Sequence, residues 1–265
     1  EALGHYRLVL QALQRRGIVP MLTLHHFVNP RWLAAKGGWQ NAEVVGLFER
    51  YASKVVQELG DLVPIWCTVN EPLGYAYNAF VLGVWPPDKH SIGSAVAVLR
   101  HLLQGHAAAY RAIHRVQPGA VVGLAHYLRI FDPANPASPL DRWAAGVRNA
   151  AMNSPVWDAL VDGEMRFPFG LGAHLPEVAG TFDYFGVNYY HRDRVAFDLG
   201  AAGQLFGRNL PPPDWEEGMP FFRGDVYPEG LYRLVMGLAP HGKPIYITEN
   251  GLLDNDDQRR PGYIV

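Results

Sequence analysis

The chain has 265 residues, 49% of them hydrophobic and 18% charged, with a formal net charge of −2. That length supports one large domain with a sizeable core. The balanced charge, with no basic block and no basic amphipathic helix, argues against nucleic acid and membrane surfaces as partners. No apolar run approaches the roughly 18 residues of a transmembrane helix. Cys67 is the only cysteine, which excludes an internal disulfide and fits a reducing compartment.

The chain opens at Glu1 with no initiator Met and no charged-then-apolar leader, so a cytoplasmic location is expected. Leu3, Tyr6, Leu10 and Leu13 recur at helical spacing from the first residues. The end, Gly262 to Val265, comes after a proline and an acidic turn. The expectation is an internal stretch of a larger domain.

In chain order, a helix over about 1–16 leads through Gly17 into an apolar strand from Ile18 to Leu24. A helix over about 41–59 precedes a second strand, Leu62 to Val69. A loop of Gly, Trp and Pro at 83–87 leads to a helix near 93–116. Pro118-Gly119 makes a turn before a third strand, Ala120 to Ala125. A helix covers about 139–162, and Phe182 to Asn188 is the fourth strand. Residues 191–226 are rich in Gly, Pro and Asp and read as a long active-site loop. A helix near 228–238 ends before Pro240, and Pro244 to Thr248 is the fifth strand.

Short strands, apolar on both faces and each succeeded by a helix, give a parallel sheet covered by helices. An open doubly wound sheet would carry a glycine-rich phosphate loop, and neither G-x-G-x-x-G nor G-x-x-x-x-G-K-S/T occurs. At the strand ends stand instead His25-His26, Asn70-Glu71, His126, Asn188-Tyr189-Tyr190 and Glu249-Asn250. Polar groups at the carboxyl ends of successive strands are where a barrel keeps its active site. The fold class expected is α/β, a (β/α)₈ TIM barrel incomplete in this chain, as one partial catalytic domain over 1–265.

Two carboxylates stand out. Glu71 ends the apolar run Trp66-Cys67-Thr68-Val69-Asn70, and Glu249 ends Ile245-Tyr246-Ile247-Thr248. A charge at the end of a buried strand is costly unless the place is a polar cleft. Two carboxylates on one barrel face suit glycoside hydrolysis, in which one is protonated to assist the leaving oxygen and one is ionised to attack.

Thr68-Val69-Asn70-Glu71-Pro72 and Ile247-Thr248-Glu249-Asn250-Gly251 resemble the two signatures of glycoside hydrolase family one, the β-glucosidases and their relatives. Thr23-Leu24-His25-His26-Phe27, Gly37-Gly38-Trp39-Gln40-Asn41, Phe185-Gly186-Val187-Asn188-Tyr189-Tyr190 and Tyr227-Pro228-Glu229-Gly230-Leu231 resemble further family segments in the right order. The resemblance implies a retaining, exo-acting β-glycosidase working by double displacement, with Glu71 as acid/base and Glu249 as nucleophile. It implies that Asn70 reads the sugar 2-hydroxyl, His26 binds another hydroxyl, Tyr190 donates to Glu249 and Asn188 helps order the site. A retaining pair is expected to stand about 5–5.5 Å apart. The implied partner is a β-glycoside or oligosaccharide, with no cofactor and no metal.

Other residues read as structural. His25 points away from His26 if the strand continues. Trp39, Trp66 and Trp85 read as packing, Cys67 as apolar filler, His101 and His106 as structural or solvated. His126 could face the cleft. By the resemblance, strands three to seven are present, and one, two and eight, with their Gln, Arg and Trp, are not. Phe27 stands where many relatives have Trp. An open five-strand sheet exposes edges, so association with a complementary chain or with itself is expected. The alternative function is a sugar-binding remnant impaired in turnover.

Overall fold

A computed structural model describes residues 1–166, 173–212, 224–252 and 257–264. The elements run α1 (Ala2–Gln14), β1 (Met21–His25), α2 (Arg31–Ala35), α3 (Val44–Leu59), β2 (Ile65–Asn70), α4 (Pro72–Phe80) and α5 (Ile92–Val116). They continue with β3 (Val121–Pro133), α6 (Pro139–Met152), α7 (Ser154–Asp162), β4 (Glu164–Met165) and β5 (Ala173–His174). Last come β6 (Tyr184–Phe197), β7 (Gly207–Asn209), α8 (Glu229–Leu238), β8 (Ile245–Asn250) and α9 (Arg260–Ile264). Among the described residues no helix is long and apolar enough to cross a membrane.

The main sheet runs β1-β2-β3-β6-β7, with β8 also on β6. The five strands expected from the sequence are therefore neighbours in the expected order. The chain divides into two compact units. The described residues of the first are 1–126, 156–165 and 173–186, and those of the second are 127–155, 166, 187–212, 224–252 and 257–264.

In the first unit β1, β2 and β3 are parallel, with Met21 opposite Ile65 and Ile65 opposite Val121. The segment entering β6 joins them through Asp183, whose N–H donates to Val122 O at 2.8 Å. α5 begins at Ser91, whose hydroxyl accepts from the Ser94 N–H and satisfies an orphan amide of the first turn. Its Leu99, Leu102, Leu103 and Ile113 are fully buried, and α3 and α4 pack against it. Each such side chain contributes roughly 1.5–3 kcal/mol by leaving water. Trp66 and Tyr184 are also fully buried, and each polar tip is satisfied: Trp66 Nε1–H donates to Gln117 Oε1 at 3.0 Å, Tyr184 O–H to Trp66 O at 3.1 Å. Gly123 makes this possible, because a Cβ there would lie 2.7 Å from the Tyr184 ring.

In the second unit β6 continues to Phe197 and pairs with β7 as an antiparallel hairpin, Val195 opposite Asn209. The loop expected from residue 191 is thus strand in its first part, while 213–223 lie outside the described residues. Asp193 and Val195 are buried, and Arg192, Arg194 and Ala196, which alternate with them, are half-buried, a period of two that the three consecutive charges Arg192-Asp193-Arg194 do not show in their polarity. Phe131, Ala144, Ala145 and Val195, with Met152 and Phe197, form the core here. The helix expected over 139–162 is broken at Asn153. That side chain turns to β3 instead, its Oδ1 accepting from Arg129 N at 3.0 Å and its Nδ2 donating to Arg129 O at 2.6 Å.

Candidate active site

β2 is buried from Trp66 to Asn70. Cys67 lies opposite Gly123 and Asn70 opposite Ala125, so β2 carries one extra residue just before Glu71. Such a bulge bends a strand and re-aims the side chains beyond it. Glu71 then takes φ 46°, ψ 60°, a left-handed conformation that costs a side-chain-bearing residue roughly 1–2 kcal/mol. Its surroundings hold it there. Glu71 N–H donates to Ala125 O at 2.8 Å, Tyr75 N–H donates to Glu71 O at 3.0 Å, and Pro72 opens α4 with the φ a helix needs. The carboxyl group lies over the first turn of α4, so close that a Cβ on Gly74 would be 3.1 Å from Oε2.

His26 comes directly after β1 and is exposed. Asn70 Nδ2 lies 3.2 Å from His26 Nε2. An amide nitrogen only donates, so Nε2 accepts and the ring proton sits on Nδ1. The contact brings together two of the residues singled out in the sequence, His26 and Asn70.

Four other histidines of this unit, His25, His101, His106 and His126, are held by packing or hydrogen bonds. His25 is buried, accepts from Trp39 Nε1 at 3.1 Å, and is pushed down to about 4 by burial. His106 is completely buried. Its Nε2–H donates to Thr181 O at 2.7 Å, so Nδ1 is the acceptor facing Thr68 Oγ1 at 2.5 Å, and burial pushes it down to about 4. His101 Nδ1 meets Trp39 O at 2.8 Å. His126, which could have faced a cleft, is 1% exposed and packs edge-on to Trp157 at 5.5 Å. Trp39 is buried as expected, and Trp85 packs on Phe27, ring centroids 4.7 Å apart.

In the second unit, consecutive residues of β8 engage β6. Thr248 Oγ1 donates to Asn188 Oδ1 at 2.6 Å, Tyr190 O–H donates to Glu249 Oε2, and Asn250 Nδ2 donates to Tyr189 O at 2.8 Å. Tyr190 therefore stands on Glu249 as expected, and Asn188, fully buried, acts on Thr248, a residue the sequence did not single out. A phenol donating to one oxygen of a carboxylate fixes the orientation of the group.

Over residues 1–264 the sequence matches glycosyl hydrolase family 1. It is 31% identical to a β-galactosidase of Sulfolobus acidocaldarius, over all of this chain and 57% of that protein. Among solved structures it resembles a β-glycosidase from Pyrococcus horikoshii, TM-score 0.86 at 32% identity, covering all of this chain and 60% of the other. It also resembles the family 1 β-glucosidase of Thermotoga maritima, TM-score 0.88 at 26% identity, covering 99% and 63%. The fold is that of these α/β barrels, and the chain belongs to glycosyl hydrolase family 1. It spans about six-tenths of the length of the relatives it matches.

Proposed function

We propose that this chain carries the catalytic pair of a retaining, exo-acting β-glycosidase, Glu249 as nucleophile and Glu71 as acid/base. One Glu249 carboxyl oxygen attacks the anomeric carbon as the bond to the aglycone oxygen breaks, and the Glu71 proton goes to that oxygen. Water then attacks the same carbon, gives its proton to Glu71 and releases the sugar with the glycosyl–Glu249 bond broken. The observation that carries this division is the Tyr190 hydroxyl on Glu249 Oε2, a contact that fixes the orientation of the carboxyl group, as in-line attack requires. Asn70 and His26, joined at 3.2 Å, are read as hydroxyl readers of the same sugar. The relatives named β-galactosidase and β-glucosidase point to β-galactosides and β-glucosides as first substrates. The test is a 2,4-dinitrophenyl 2-deoxy-2-fluoro-β-glycoside, whose first step proceeds and whose second stalls. Mass spectrometry should find the sugar on Glu249, and label on any other residue would remove this assignment.

A second reading, a sugar-binding remnant without turnover, has one observation in its favour. β8 holds no fully buried residue, Ile247 is 42% exposed, and among the described residues β8 pairs with β6 alone. Iminosugar binding without any covalent labelling would favour that reading.

A further inference from the structure

We infer that Tyr127 is the positioning residue that keeps the Tyr190 phenol on Glu249. This rests on the reading of Glu249 as nucleophile. Nothing in the motifs marks Tyr127, which simply comes after His126 on β3. In the second unit its ring stands edge-on to Tyr190, centroids 5.7 Å apart at 73°. On another side is His191, centroids 6.0 Å apart at 78°, with the Tyr127 hydroxyl 3.3 Å from Nδ1. The Arg129 guanidinium lies over the Tyr127 ring at 5.0 Å.

That cage is itself anchored. Arg129 Nη1 pairs with buried Asp193 at 3.3 Å, Asn209 Nδ2 donates to Asp193 Oδ1 at 3.0 Å, and Asn153 holds both backbone polar groups of Arg129. His191 is pushed down to about 4, chiefly by burial, so it is neutral around pH 7 and adds no charge beside the ring. Tyr127 is therefore a fixed aromatic wall against which the Tyr190 ring packs. Without the wall the Tyr190 ring gains room to swing, its hydroxyl leaves Oε2, and the carboxylate loses its fixed orientation. Displacements of a fraction of an ångström at the reacting atoms cost roughly tenfold in rate.

The experiment uses the full-length protein with Tyr127→Ala, Tyr127→Phe, Tyr127→Leu and Tyr190→Phe, and tracks labelling of Glu249 by the 2-fluoro glycoside. Tyr127→Ala should lower the limiting labelling rate about tenfold while the half-saturating concentration stays within about twofold. Tyr127→Phe, which keeps the ring edge, should recover most of that loss. In the Tyr190→Phe background, Tyr127→Ala should cost less than about twofold, because the group it positions is gone. An undiminished cost in that background, or a Tyr127→Phe as slow as Tyr127→Ala, would overturn the inference. If Tyr127→Ala does not fold, Tyr127→Leu, which fills space without a ring edge, decides in its place. If the unaltered protein is never labelled, the glycosidase reading fails, and the inference is judged by carbon-13 NMR of labelled tyrosine. The Tyr190 Cζ resonance should move in Tyr127→Leu and stay in Tyr127→Phe; a resonance that stays in both would overturn it.

Discussion

β2 is buried from Trp66 to Asn70 between β1 and β3, whereas β8 is nowhere fully buried and, among the described residues, has only β6 beside it. The glutamates that end these strands are held accordingly. Glu71 is placed by main chain: an extra residue in β2, a left-handed φ, an amide on Ala125 and a helix that starts with Pro72. Glu249 is placed by side chains of β6, with Tyr190 on its carboxyl group and Asn188 on the preceding Thr248. A main-chain constraint survives most substitutions, because it needs no particular partner side chain. A side-chain constraint fails with one residue. The division suits the proposed chemistry, since a proton donor needs reach and environment while a nucleophile needs one oxygen aimed along a line.

The largest expected effect separates the two ends by role. Glu249→Ala should lower turnover of every aryl β-glycoside by about four orders of magnitude or more, and azide should restore reaction with inverted product. Glu71→Ala should spare the first step for 2,4-dinitrophenyl glycosides, which leave without a proton, and cripple it for alkyl glycosides. Inverted product from azide and Glu71→Ala would exchange the roles.

The next effect belongs to the support under Glu71. Thr68, on the buried strand, meets His106, which is held neutral because burial pushes it down to about 4. The unfolded chain takes up this proton near pH 6.5 and the folded chain only near 4. Stability is therefore complete above about pH 6.5 and falls as pH drops through the window down to about 4. The loss from this ring is roughly 3 kcal/mol, at about 1.4 kcal/mol per unit. His25 and His191 act in the same direction. Urea unfolding of His106→Gln should therefore lose part of the pH dependence, not all of it. An unchanged slope between about pH 7 and 4.5 would mean that His106 is charged in the fold.

At the other end, Tyr190→Phe removes the hydrogen bond that orients the half-exposed Glu249 carboxyl group. Labelling of Glu249 should slow by about 10–100-fold, with little change in the unfolding midpoint. Equal loss of rate and stability would instead make Tyr190 a structural residue.

Much of this contrast could not be read from the sequence. The order β1-β2-β3-β6, with β8 on β6, was legible, because buried strands alternating with helices permit few arrangements. Both glutamates were legible too, as charges ending apolar runs. The bulge in β2 was not, since the step from Cys67 to Asn70 looks like any strand until Gly123 and Ala125 stand opposite. Nor were the partners of Thr68 and Tyr127, which are far away in the chain or leave no motif. The break at Asn153 and the hairpin after residue 191 were misread for a local reason. Helical spacing hides a side chain that bonds a strand, and the consecutive charges Arg192, Asp193 and Arg194 hide a strand whose alternation is in burial alone.

The smallest effect tests whether main-chain placement at Glu71 has any weak point. Gly74 lies in the first turn of α4 with ordinary helical φ, so alanine there should favour the helix by about 0.5–1 kcal/mol. The new Cβ, however, would stand 3.1 Å from Glu71 Oε2 and 3.3 Å from Glu71 Cβ. The backbone of Glu71 cannot retreat, because its N–H and carbonyl are both engaged, so the carboxyl group must move by a few tenths of an ångström. Gly74→Ala should therefore change the unfolding midpoint little, the helical gain being offset by the tight contact with the immobile Glu71 Cβ, while slowing hydrolysis of poor leaving groups by about 3–10-fold. Hydrolysis of 2,4-dinitrophenyl glycosides, which does not wait for a proton in the first step, should change by less than about twofold. Unchanged rates on both substrates would show that Glu71 tolerates side-chain displacement. A loss shared equally by both substrates would place the damage at sugar binding instead of at the proton donor.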